Sequence, residues 1–167
     1  YIGNRAAYPI IIQGLKRLEY RGYDSAGIAL LNSELHLTKT KGKVADLEAK
    51  AEQNHRSGTL GIGHTRWATH GVPNDVNAHP HTSNSGRLVL VHNGIIENYE
   101  SLRSYLTDQG FSFSSETDTE VLVNLIEHIQ ITQGLKTGKA VQIALNQVVG
   151  AYAIAVFDKE RPKEVVV

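Results

Sequence analysis

The stretch Tyr20-Arg21-Gly22-Tyr23-Asp24-Ser25-Ala26-Gly27-Ile28-Ala29-Leu30-Leu31, with Leu35-His36-Leu37-Thr38-Lys39-Thr40-Lys41 close behind it, decides the fold class. Its first part is a turn punctuated by Gly22 and Gly27 that leads into the apolar run Ile28 to Leu31. The second part alternates enough to pair back on that run as a β-hairpin. Upstream, Ala7, Ile11, Leu15 and Leu18 recur every three or four residues, the spacing of an amphipathic helix, with Pro9 tolerable only in its first turn. Downstream, Val44 to Gln53 reads as a short helix, Gly61-Ile62-Gly63 as a strand start and Leu88-Val89-Leu90-Val91 as another strand. Three more helices are expected: Tyr99 to Gln109 with Asn98 as its cap, Glu120 to Gln130, and Lys139 to Val148. The second of these follows Thr117-Asp118-Thr119-Glu120, a capping-box signature. Ala151 to Phe157 and Glu164 to Val167 close the chain as strand, turn and strand. Strands therefore come in hairpin-like groups around helices and do not alternate strictly with them. That pattern predicts a layered α+β domain and argues against a doubly wound parallel sheet.

Composition narrows the function. A chain of 167 residues with 41% hydrophobic content fits one domain whose core needs no disulfide or metal staple. Lysine plus arginine and aspartate plus glutamate both count 17, so no net charge marks a nucleic-acid or anionic-membrane partner. Cysteine is absent, which removes disulfides, thiolate metal sites and a thiol nucleophile within these residues. No apolar run approaches the roughly 18 residues of a membrane span, and no charged leader precedes an apolar segment, so a cytoplasmic setting is the default. Neither G-x-G-x-x-G nor a Walker loop occurs, and nucleotide phosphate binding lacks its usual cue. The first residue is tyrosine and the last three are Val165-Val166-Val167, an apolar run cut in mid-course. The chain thus reads as a fragment truncated at both ends, a state that would leave strand edges open to aggregation.

The irregular, polar stretch from Thr65 to Gly86 is long for a connection inside a domain, and such loops are usually functional. Five of the eight histidines (His64, His70, His79, His81 and His92) fall in or beside it. His79-x-His81 with Asp75 or Asp118 could begin a metal site. Against that, Pro80 separates the two histidines, i, i+4 spacing is missing and no thiolate is available, so the other reading is that these rings serve as hydrogen-bonding partners in the loop. Asn93-Gly94 also has two readings. Asn-Gly is the strongest short hairpin signal. A side-chain amide beside a glycine N–H just after a strand is equally what an oxyanion hole requires. Arg66 and Asp118 are either a solvated loop arginine and a carboxylate at a helix N-terminus, or the grips for the two ends of an α-amino acid. Trp67, the only tryptophan, is either core or a lid.

Five segments in order carry a resemblance: Tyr20 to Gly27; Gly63-His64-Thr65-Arg66-Trp67-Ala68-Thr69-His70-Gly71; Asn77-Ala78-His79-Pro80-His81; Val91 to Tyr99; and Ser115-Glu116-Thr117-Asp118-Thr119-Glu120. Together they resemble the glutaminase domain, a type 2 glutamine amidotransferase domain, of the glucosamine-6-phosphate synthase family, over nearly the whole chain. The resemblance implies an N-terminal-nucleophile hydrolase fold of two stacked antiparallel sheets between helical layers. Residues 1–167 would then be a partial domain without the sugar isomerase domains. It also implies hydrolysis of glutamine to glutamate and ammonia without a cofactor. The ammonia would pass to C-terminal sugar isomerase domains of the same full-length chain, which convert fructose 6-phosphate to glucosamine 6-phosphate, in a homo-oligomer when intact. Carried over by motif, Arg66 with Thr69 and His70 would hold the α-carboxylate of glutamine, and Asp118 its ammonium. Asn93 and Gly94 would hold the oxyanion, and Trp67 would gate the ammonia path. The family's nucleophile is an N-terminal cysteine whose own α-amino group is the base. The Cys-Gly-Ile-Val-Gly stretch expected before Tyr1 is not among these residues, so the chain as given is expected to be inactive. A metal-dependent hydrolase built on the histidine cluster and a non-catalytic amino-acid-binding module are the readings that compete with this one.

Overall fold

The computed structural model describes residues 1–52, 57–68 and 71–167. All seven residues of the strand Ser25–Leu31 (β1) are buried, as expected of a strand covered on both faces. It pairs antiparallel with Leu35–Lys41 (β2), Leu31 opposite Leu35 and Ser25 opposite Lys41, so the expected hairpin is present, with its strand starting three residues earlier than the apolar run. The other edge of β1 pairs antiparallel with Leu60–Arg66 (β3), giving the order β2-β1-β3. Two helices cover the outer face, Ala7–Leu18 (α1) and Val44–Ala51 (α2). Ala7, Ile12 and Leu15 of α1 pack with Ala26, Ile28 and Leu30 of β1 and with Val44 and Leu47 of α2. The apolar stripe of α1 is rotated from the expected one: Ile12 is buried and Leu18 is 47% exposed, because the end of the helix overhangs a cavity shared with Arg21, His64 and Asn93. α1 approaches β3 closely at Gly63, where a Cβ would lie 2.6 Å from Ile11.

A second sheet has the order β4-β5-β6-β7, formed by His81–Thr82 (β4), Leu88–Ile96 (β5), Gly150–Asp158 (β6) and Val165–Val166 (β7). β5 and β6 pair along nine residues, from Leu88 opposite Asp158 to Ile96 opposite Gly150. Its outer face carries Tyr99–Asp108 (α3), Asp118–Gln133 (α4) and Thr137–Leu145 (α5). α4 is buried along most of its length, so its side chains fill the largest apolar cluster with Leu88, Leu90, Leu106 and Val156. Between the sheets, Ala29, Leu31, Leu60 and Ile62 of the first meet Val89, Val91 and Phe157 of the second. The layers run helix, sheet, sheet, helix, the α+β architecture expected from the sequence.

Several local expectations are corrected. Asn93 and Gly94 lie inside β5, paired with Ala153 and Tyr152, and so do not form a hairpin turn. Asn98 precedes α3 but does not cap it with its side chain; the amide instead joins the Gln147 carbonyl at 2.8 Å and the Val149 N–H at 2.9 Å. Only half of the capping box forms at α4. Thr117 accepts from the Glu120 N–H at 3.3 Å, while the Glu120 carboxylate turns to the N–H groups of Ser114 and Ser115 at 2.9 and 2.6 Å. α5 starts at Thr137 and stops at Leu145, ahead of the expected bounds. Within the stretch from Thr65 to Gly86, β3 continues through Arg66, and His81 and Thr82 pair with Leu90 and Val89 after a cis His79–Pro80 peptide.

Candidate active site

β3 and β5 end near each other, and the first turn of α4 closes the gap between them. A cavity of about 190 Å³ lies there. β3 brings His64, Thr65 and Arg66, with Trp67 just beyond it; β5 brings His92, Asn93 and Gly94; α4 brings Asp118 and Thr119. Arg66, Trp67, Asn93, Gly94 and Asp118, separated along the sequence, thus line one cavity. Thr69 and His70 lie outside the described residues.

Asp118 is the first residue of α4, where the helix dipole favours a carboxylate. It is buried, and its Oδ2 accepts from the Ile96 N–H at 2.9 Å, which pins the end of β5 to the helix. Arg66 is also buried. Its Nη2 donates to the Gly71 carbonyl at 3.3 Å, and its Nη1 lies 4.0 Å from Asp24 Oδ1. Burial holds the guanidinium below the ordinary arginine range, and the carboxylates of Asp24, Asp118 and Glu116 oppose that shift. Asp24 also accepts from the Ala68 N–H, so one carboxylate steadies both Arg66 and the chain that follows Trp67. Trp67 is 63% exposed at the cavity mouth, its ring edge-on to Tyr23 at 5.6 Å, which overturns the core reading.

Gly94 has φ +134°, and a Cβ there would stand 2.2 Å from the Ala151 carbonyl oxygen on the facing strand. Only glycine permits this backbone while β5 and β6 stay paired. The exposed Asn93 beside it requires no such conformation.

His79, His81 and His92 are partners of hydroxyl groups. His81 Nε2 lies 3.1 Å from Thr117 Oγ1, while His79 Nε2 and His92 Nδ1 lie 3.2 and 3.0 Å from Thr119 Oγ1. His64 stacks on His79 at 4.5 Å. Burial lowers His64 to about 4, with further repulsion from His92 and Arg66. Burial first, and neighbouring cations and imidazoles after it, hold His79 and His81 well below the ordinary histidine range. Asp75, the other candidate ligand, is engaged by Lys50 Nζ at 2.6 Å and the Lys41 N–H at 2.7 Å. Among the described residues no group of three or more histidine, cysteine, aspartate or glutamate side chains could hold a metal, and no helix is long and apolar enough to cross a membrane. Sequence reasoning assigned no role to Arg21, Thr65 or Thr119 on the cavity wall and took Thr117 for part of a capping box. The motif segments around them were the available signal.

Residues 51–167 match the family model of the glutamine amidotransferase domain. The chain belongs to this family. The glutamine amidotransferase domain is 61% identical over 168 residues to a protein of Bacteroides thetaiotaomicron named glutamine–fructose-6-phosphate aminotransferase [isomerizing], covering 99% of this chain and 27% of the relative. A protein of the same name from Chlorobaculum tepidum is 50% identical, with 100% of this chain and 28% of the relative covered. The domain therefore spans little more than a quarter of the length of these relatives. Among solved structures, one described as the allosteric regulatory enzyme of purine biosynthesis matches 95% of this chain and 34% of its own, with TM-score 0.83 and 30% identity. The glutamine phosphoribosylpyrophosphate amidotransferase from B. subtilis matches the same shares with TM-score 0.78 and 29% identity. These neighbours and the two stacked antiparallel sheets give the domain the N-terminal-nucleophile hydrolase fold.

Proposed function

We propose that this domain hydrolyses glutamine and supplies the ammonia to a further part of the same polypeptide that aminates fructose 6-phosphate. The observation that carries the reading is the meeting of a buried arginine and a buried aspartate with Asn93 and Gly94 in one cavity. Arg66 would pair its fork with the α-carboxylate and Asp118 would take the α-ammonium. Asn93 and Gly94 would then face the charge that develops on the amide oxygen. Thr69 and His70 would complete the carboxylate grip.

The nucleophile comes, in this reading, from a cysteine in a segment preceding Tyr1. Tyr1 and Gly61 exchange both backbone hydrogen bonds at 2.9 Å, and Ile2 stands opposite Leu60, so the entering chain runs antiparallel along β3. Continued in that register, the fifth residue before Tyr1 would stand opposite Arg66, at the cavity. A thiolate there would add to the amide carbonyl, and the amino group of the same residue would take the thiol proton and pass it to the departing ammonia. Water would then release glutamate from the thioester. Residues 1–167 alone are expected to bind glutamine without turning it over. Trp67, at the cavity mouth, would gate the ammonia path.

The test is glutamate release by the full-length protein, with glutamine analogues lacking the carboxylate or the amine as competitors. Turnover by residues 1–167 alone would show that the nucleophile has been misassigned. For the gate, Trp67→Ala should preserve glutamate release while reducing amino sugar formed per glutamate.

A further inference from the structure

We propose that Thr119 is a positioning residue that locks the oxyanion-binding strand to the ammonium-binding helix through a closed circuit of hydrogen bonds. This rests on the amidotransferase reading of the site and assigns to Thr119, on the wall of that cavity, a role exerted through Asn93 and Asp118.

The circuit follows from counting protons. The backbone N–H of His92 donates to His79 Nδ1 at 3.4 Å, so the neutral His79 ring carries its proton on Nε2. That N–H donates to Thr119 Oγ1 at 3.2 Å. The threonine hydroxyl keeps one proton of its own, with His92 Nδ1 at 3.0 Å and Asp118 Oδ1 at 3.5 Å; in the proposed circuit it goes to His92, the nearer of the two. The path therefore leaves His92 by its backbone, crosses the His79 ring and the Thr119 hydroxyl, and returns to His92 by its ring. A side chain without a hydroxyl at position 119 opens the circuit on two sides.

Its placement gives the circuit a purpose. His92 immediately precedes Asn93, and Thr119 immediately follows Asp118. Fixing His92 to Thr119 therefore fixes the two binding groups relative to each other. The Ile96 N–H to Asp118 bond is a second tie between the same elements, so β5 can neither slide nor rotate against the end of α4. Thr119, His79 and His92 are all buried, and hydrogen bonds in such surroundings hold geometry more firmly than they would in water. His64 stacks on His79 from the other sheet, extending the support to the strand that carries Arg66.

The experiment is a double-mutant cycle on kcat for glutamate release in the full-length protein. Thr119→Val keeps the shape and removes the hydroxyl; it should lower kcat about tenfold, while Thr119→Ser stays within about twofold of the parent. In an Asn93→Ala background, Thr119→Val should cost less than twofold, because the group it positions is gone. A tenfold loss in both backgrounds, an unchanged kcat in Thr119→Val, or a serine variant as slow as valine would each overturn the proposal. If Thr119→Val does not fold, the imidazole nitrogen shifts of ¹⁵N-histidine-labelled parent protein decide. Protons on Nε2 of both His79 and His92 are expected, and a proton on Nδ1 of either ring refutes the circuit. A parent protein that releases no glutamate would instead refute the amidotransferase reading.

Discussion

Gly94→Ala tests the account of β5 most directly. The added methyl carbon would lie 2.2 Å from the Ala151 oxygen and 2.7 Å from the Tyr152 Cα, both backbone atoms that no side-chain rotation can move aside. Relief requires β5 and β6 to part by about 1 Å at this point, enough to break the local N–H to O contacts of a ladder whose normal length is about 2.9 Å. Overpacking of this kind costs about 1–3 kcal/mol. Holding alanine at φ +134° adds about 1–2 kcal/mol. A total of about 2–5 kcal/mol, at 2–4 °C per kcal/mol for a domain of this size, lowers Tm by roughly 4–20 °C. Calorimetry of this domain's transition in the full-length protein, alongside glutamate release, should show both the destabilisation and a loss of turnover. A variant melting within about 2 °C of the parent would refute the argument, since it would mean that the strands accommodate a Cβ where the backbone leaves no room.

Asn93→Ala should behave oppositely: the residue is exposed with an ordinary backbone, so Tm should move little while kcat falls about 10²–10³-fold at nearly constant KM. A melting loss with normal kcat would remove Asn93 from the site. Arg66→Lys should weaken glutamine binding by about 1.5–3 kcal/mol, roughly 10- to 150-fold in affinity, because an ammonium cannot pair with both carboxylate oxygens as the guanidinium does. Competition by analogues checks it, since equal discrimination against those lacking the carboxylate and those lacking the amine would sink the assignment. Acid should destabilise the domain from about pH 6.5 downward. His64 is held at about 4 when folded and near 6.5 when unfolded, so the unfolded chain binds the extra proton in that window and stability falls with falling pH. His64 alone accounts for roughly 3 kcal/mol of that loss. His64→Gln should flatten the upper part of the curve of Tm against pH, and an unaltered slope would show that the ring titrates normally.

The hairpin of β1 and β2 was legible because strand period and turn both lie within a few adjacent residues. The helices were legible for the same reason, down to Thr117 as the cap of α4. The place of Gly94 inside a strand was not: Asn-Gly signals a turn locally, and what overrides it is pairing with Tyr152, 58 residues further on, which the local pattern does not contain. Thr119 escaped notice in the same way, since its partners His92 and His79 are 27 and 40 residues away. Leu18 kept the helical spacing yet missed the core, because periodicity gives a face and not what the face meets. Arg66 and Asp118 were named from their motifs. The cavity they share is a property of the assembled sheets.

The two grips of the proposed site are held by different sheets, Arg66 at the end of β3 and Asp118 at the start of α4, which is tied to the end of β5. In an α-amino acid the carboxylate and the ammonium share one carbon, so their span is a fixed length. The site is then a caliper whose jaws are set by how Ile62 beds against Val89, Val91 and Phe157, residues that never meet the substrate. Discrimination between α- and β-amino acids is in that case stored in the greasy seam of the molecule. Trimming Phe157 to leucine would reset the gauge and loosen selectivity, with every polar group of the cavity left in place.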